Sequence, residues 1–173
     1  MTIGLMILIG WAVMAAVMTV LWLVQRARNN AGIVDVAWSF GTGLVAVFFA
    51  AGVDGFGPRR ILVGVLAGLW GLRLGLYLVK RVTSEAEDGR YAMLRERWGD
   101  RTQLFLFWFF QIQAVWAVLF ALPMLAAVVN PAAPLGWLDA LGAIVWIVAI
   151  GGETMADAQL ARFRRDPANR GKV

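Results

Sequence analysis

Five stretches, each close to the roughly 20 residues that a bilayer span needs, run through this chain almost without charge, and they decide what it can fold into. They cover 3–24, 33–53, 60–79, 104–129 and 135–156. The pattern predicts an all-α, polytopic transmembrane bundle of about five spans, forming a single domain over 1–173. Pro58 and the pair Pro131 and Pro134 fall between spans, where helix breakers belong. The composition agrees. The chain is 61% hydrophobic and 16% charged, whereas a soluble domain is about 45–50% apolar and about 25% charged. No basic region precedes the first stretch, and Arg26 and Arg28 follow it. It therefore reads as a retained helix rather than a cleaved leader.

The residues that are missing narrow the chemistry. There is no cysteine and no histidine. That removes disulfides, the thiolate metal site, the zinc-type imidazole ligand, the usual haem ligand and the commonest general base. No metal site is expected, and acid–base work falls to Asp, Glu, Tyr or Lys. The net charge of +5 reads as a record of membrane orientation, not of nucleic-acid binding. The connection after the first span, the loop 80–103 and the tail 157–173 together hold 13 basic residues, against 2 on the other side, Arg59 and Arg60. Lys and Arg stay on the cytoplasmic face, so the N-terminus is expected outside and the C-terminus in the cytoplasm.

Polar residues inside apolar spans carry the functional expectations. Asp35 enters the second span two residues from its start, and Trp38 shares its helix face. Asp35 is either a helix-start acid that suits the positive end of the helix dipole or the acid of a polar cavity. Arg73 stands inside the third span, with Tyr77 one turn further on the same face. The pair either serves a ligand or forms a structural ion pair, with Asp35 or Glu153 as its partner. Trp38 and Arg73 are the candidate substrate-pocket residues. The segment "KRVTSEAEDGRYAMLRERWGD" reads as a solvated helix with local ion pairs. Glu153, Asp157 and Arg164 fall at i, i+4 and i+11, one stripe of one helix if that helix continues unbroken to about Phe163. Such a stripe offers carboxylates to sugar hydroxyls and a guanidinium to a phosphate. Equally, its acids and arginine can satisfy one another at the interface.

The stretches "RNNAGIVDVAWSFG", "LWGLRLGLYLVKR", "EDGRYAMLRERWG" and "ETMADAQLARFRRDPANRGKV", in that order, resemble the bacterial branch of the steroid 5α-reductase-like membrane proteins. The resemblance implies a helical reductase of the bacterial inner membrane. Such an enzyme uses NADPH to reduce a carbon–carbon double bond conjugated to a carbonyl in a steroid or other lipid. It further implies that Glu153, Asp157, Arg164 and Asn169 meet NADPH, and that Asp35 and Tyr77 act near the substrate carbonyl. Glu87, Asp88, Arg90 and Tyr91 match a recurring pattern of that branch to which no role is attached. The family continues past the Asn-Arg-Gly-Lys stretch into Gly-Leu-Trp and Arg-His-Pro-Asn-Tyr segments, whereas this sequence runs to Val173. The expectation is therefore the N-terminal five-helix portion of such a reductase, with weak NADPH binding by itself. Two other readings stand beside it. One is a membrane methyltransferase of the isoprenylcysteine or phospholipid type, using S-adenosylmethionine. The other is a non-catalytic helical membrane protein or assembly partner.

Overall fold

The computed structural model describes residues 1–84 and 86–169. Six α-helices follow one another: α1 (Ile3–Arg28), α2 (Ile33–Gly52), α3 (Gly57–Ser84), the short α4 (Gly89–Trp98), α5 (Thr102–Val128) and α6 (Trp137–Arg165). Single 3₁₀ turns stand at Gly99–Arg101 and Pro167–Asn169, and no strand occurs among the described residues. Helices α1, α2, α3, α5 and α6 supply five segments long and apolar enough to cross a membrane. The chain is thus an all-helical integral membrane protein. Arg170 and Lys172, counted above in the basic tail, lie outside the described residues.

The helices outrun the apolar stretches that announce them. α1 continues through Gln25 and Arg26 to Arg28 and ends where Asn29 takes a left-handed φ of 52°. α3 continues through Lys80 and Arg81 to Ser84, because no Gly or Pro interrupts it there. The polar ends extend the helices past the apolar stretches without breaking the backbone hydrogen bonding.

The chain divides into two compact units, Met1–Ala133 and Pro134–Val173. In the first, α2 is the central helix and packs against α1, α3 and α5. Its seam with α3 is very close. A Cβ on Gly71 would lie 2.9 Å from the Ser39 carbonyl oxygen and 3.0 Å from the Gly43 Cα. Only hydrogen side chains at 43 and 71 allow the two backbones to approach so far. Phe49, Phe110, Met6, Met18 and Leu106 fill the interior, while Leu44, Ile61, Leu72, Trp108 and Ile112 are exposed. Large apolar residues on the outside are what a bundle presents to lipid tails.

The end of this unit that holds Arg59 and Arg60 is closed by those two residues. Arg60 donates to the carbonyls of Ala50 and Ala51, at 2.8 and 2.7 Å. These are carbonyls of the last turn of α2, which have no partner within the helix. Arg59, 6% exposed, donates to the carbonyls of Asn130 and Ala132 at 3.1 and 2.7 Å. The second unit holds α6. Gly136 precedes it, and the Asp139 carboxylate accepts the Gly136 N–H at 2.8 Å. The helix then runs unbroken to Arg165, with Asp166 extended and Pro167 preventing continuation.

Candidate functional site

At the opposite, arginine-rich end of the first unit, polar groups from five helices meet. Asp35 lies in the first turn of α2. Its Oδ1 accepts the Tyr91 hydroxyl at 2.9 Å, and its Oδ2 faces the Arg90 guanidinium at 3.4 Å. Tyr91 is the buried residue of α4, 2% exposed, with its ring edge against Phe109 of α5. The local chemistry explains why α4 starts there. Asp88 is its N-cap, and its Oδ1 accepts the Arg90 N–H at 2.9 Å. The same carboxylate takes the Arg90 side chain at 3.1 and 3.2 Å and the Arg81 guanidinium at 2.7 Å. Asp88 therefore joins the end of α3 to the start of α4 and sets Tyr91 over Asp35. The hydrogen bond from the Arg90 side chain, followed by the charges of Arg90 and Arg81, holds the Asp88 carboxyl below the usual carboxylate range.

A second network anchors the same segment from the other side. The Glu87 carboxylate accepts the backbone N–H of Ala31 at 2.6 Å and the Arg95 guanidinium at 3.0 to 3.3 Å. Arg95 also donates to Gln25 of α1 at 3.1 Å, and Gln25 donates to the Gln103 side chain at 2.7 Å. Gln25 is fully buried, which a paired amide tolerates and an unpaired one does not. The two networks fix α4 between the α1–α2 connection and the start of α5. Between them lies a crevice of about 20 Å³ lined by Asn30, Gly32, Asp35, Arg81 and Asp88 among others. That volume suits a single water molecule rather than an organic ligand.

One turn along α2 from Asp35, the Trp38 ring stands edge-on to Trp70 of α3 at 6.0 Å and to Phe120 of α5 at 5.5 Å. Its indole N–H is shielded and has no hydrogen-bond acceptor. Of the residues expected to gather here, Asp35 and Trp38 do. Of the two partners expected for Arg73 and Tyr77, Glu153 lies in the second unit, and the Asp35 carboxylate is engaged by Tyr91 and Arg90 instead. The reason is helical phase. Ala67, Gly71 and Gly75 are buried along the α3 seam, Gly71 against Gly43 and Gly75 against Phe40. Position 73 lies about 160° around the helix from both Gly71 and Gly75, and position 77 about 160° from Gly75 and about 120° from Gly71, so both sit off the glycine seam with α2. Both are half-buried.

In the second unit, α6 is continuous through 153–164. Glu153, Asp157 and Arg164 therefore lie within about 40° of one another around a single helix. Asn169 sits in the 3₁₀ turn beyond it and donates its side-chain amide to the Phe163 carbonyl at 3.1 Å, a capping role. Among the described residues no group of His, Cys, Asp and Glu is arranged to hold a metal ion.

Tyr91, Asp88 and Arg90 are the members of the site that sequence reasoning did not assign. The signal was present in the "EDGRY" stretch, but pairing it with Asp35 required the fold. Comparison with known proteins gives a family and nothing narrower. No curated protein and no solved structure matches the chain. A family model matches residues 21–173, nearly the whole chain, so the protein belongs to DUF1295, a family of proteins of unknown function.

Proposed function

We propose that the protein is a membrane-embedded, NADPH-dependent reductase of a carbon–carbon double bond conjugated to a carbonyl in a steroid-like or other lipid. The observation that carries this reading is the buried Tyr91–Asp35 pair. A phenol proton is held on a carboxylate at the end of an apolar bundle, beside the Trp38 face of α2. Such a pair suits a reaction that adds hydride at one carbon and a proton at its neighbour. The lipid's apolar body stays in the bilayer, and its polar end meets the only aqueous-side acid placed within a span of the first unit's described residues, Asp35.

The donor set fits the cofactor. Glu153 and Asp157 present carboxylates suited to ribose hydroxyls, and Arg164 presents a guanidinium suited to a phosphate, all on one stripe of an unbroken helix. Held by Glu153, Asp157 and Arg164, NADPH would supply the hydride chemistry that the reduction of an enone requires. The Tyr91–Asp35 pair holds the proton that completes reduction at the α-carbon, at the Tyr91 oxygen against Asp35 Oδ1. Asp88 and Arg90 hold Tyr91 in place, and Glu87 and Arg95 hold the α1–α2 connection that precedes Asp35.

The orientation belongs to this reading as well: N-terminus outside, C-terminus and site on the cytoplasmic face of a bacterial inner membrane. The two basic residues on the outer side support it, because both Arg59 and Arg60 are bonded to backbone carbonyls there. The test is incubation of the purified protein in nanodiscs with a hydrophobic enone, supplying either NADPH or S-adenosylmethionine. Formation of the saturated ketone with NADPH alone supports the reductase. A methylated lipid formed with S-adenosylmethionine alone moves the function to methyl transfer, and no product with either leaves a non-catalytic membrane protein.

A further inference from the structure

We propose that the indole N–H of Trp38 donates a hydrogen bond to the carbonyl oxygen of the bound lipid, which makes Trp38 the donor that selects an oxygen-bearing substrate. The inference rests on the reductase reading above. Its starting point is an anomaly of packing. The Trp38 Nε1 is shielded from solvent and meets no acceptor in the protein, although buried donors are almost always paired. The cost of an unpaired donor is greatest inside a membrane span, where water offers no substitute.

Trp70 and Phe120 hold the Trp38 ring from two sides, with interplanar angles of 83° and 90°. The nearest hydroxyls along α2 are already committed, Ser39 to the Asp35 carbonyl and Thr42 to the Trp38 carbonyl, both at 2.8 Å. The donors around Asp35 are committed too. The Tyr91 proton lies on Asp35, and Arg90 is shared between Asp88 and Asp35. Along this face of α2 the Trp38 N–H is the donor left over among the described residues. It stands three residues from Asp35, about 4.5 Å further along the helix axis.

The chemistry of that donor defines its ligand. An indole N–H donates and cannot accept, and it carries no charge. It therefore selects a neutral acceptor oxygen on an otherwise apolar molecule. A hydrogen bond to an enone oxygen strengthens as negative charge builds on it during hydride addition, which is when stabilisation counts. The division of labour follows: Trp38 holds the oxygen, and the Tyr91–Asp35 pair keeps the proton. Trp146 on α6 also has a buried, unpaired N–H, but Gly142, Ala143, Ala149 and Ile150 on its own face add no polar side chain, whereas Trp38 has Asp35 on its own face.

The test uses the full chain in phosphatidylcholine nanodiscs with ¹⁵N-labelled indoles, a steroid 4-en-3-one, and its 3-deoxy analogue. One indole signal, identified by its loss in Trp38→Phe, is expected to move downfield as the ketone saturates and to stay in place with the deoxy compound. Trp38→Phe, which keeps an aromatic ring in the packing, is expected to weaken ketone binding about tenfold and to leave deoxy binding unchanged. If the ketone binds while the Trp38 signal stays still and Trp38→Phe binds it equally, the N–H is spent on the neighbouring ring faces and the inference falls, with the reductase reading intact. If neither compound binds the wild-type protein, both fall. The wild-type spectra decide the matter by themselves if the variant does not fold.

Discussion

A tyrosine hydroxyl on a carboxylate, buried at the polar end of an apolar bundle, is the smallest unit on which the proposed function turns. Removing the phenol oxygen leaves Asp35 with only the long contact to Arg90. Tyr91→Phe is therefore expected to destabilise the first unit by about 1–3 kcal/mol, the cost of an under-satisfied buried acceptor. Thermal unfolding in nanodiscs measures this, and an unchanged midpoint contradicts it. Asp88 makes a second prediction at this scale. Its folded-state pKa is depressed, so its contribution is fully present above the unfolded value of about 3.9 and is lost as the pH falls through the folded value. Hydrogen-exchange protection in α4, with the intrinsic pH dependence of exchange divided out, should stay flat from near neutral down to about pH 5, and the corrected exchange should rise only under stronger acid. Asp88→Asn should abolish that rise. A transition near neutral pH would mean that another group controls the segment.

Residue-level legibility had a clear limit. Asp35 and Trp38 could be chosen because a charge and an indole three residues apart in an apolar run share a face whatever the tertiary fold. Tyr91 could not. It lies 56 residues from Asp35 in a segment whose charges suggest solvent exposure, and only the caps and ion pairs of Asp88 and Glu87 turn its side chain inward. Tyr77 shares a helix face with Arg73 whatever the fold, but where that face points is set by the glycines of α3.

Those glycines act at the scale of the element. Gly43 and Gly71 let α2 and α3 touch backbone to backbone, and the Ser39 side of that contact lies next to the Trp38 ring. Gly71→Val should force the helices apart and cost about 1–3 kcal/mol, and it should also reduce any ligand binding at the Trp38 face. Gly57→Ala is the control, since a Cβ there meets nothing within 4 Å. Equal stability of the two variants would contradict the close seam. The existence and order of the five long helices were readable from the apolar stretches alone. Their ends were not, because polar residues such as Gln25, Arg81 and Thr83 continue a helix as readily as they leave one. α4 was visible only as a charged segment. Its buried tyrosine gives no periodic signal in ten residues.

At the scale of the whole molecule, the distribution of basic residues predicts an orientation that can be read without a ligand. The chain has no cysteine, so single cysteines report cleanly. In intact cells, a cysteine at Gly57 should react with a membrane-impermeant maleimide and one at Ala92 should not, until the membrane is opened. The reverse pattern would invert the topology and place Asp35 and Tyr91 at the outer face, away from cytoplasmic NADPH.

The most direct test of the central claim follows the hydride. The protein in nanodiscs is given a hydrophobic enone and NADPH deuterated at the transferable position, and the product is examined by mass spectrometry and NMR. The account predicts one deuterium at the β-carbon of the saturated ketone. It further predicts a rate loss of about a hundredfold or more in Tyr91→Phe and little change in Tyr77→Phe. Absence of deuterium from the product, or full activity in Tyr91→Phe with loss in Tyr77→Phe, would contradict it.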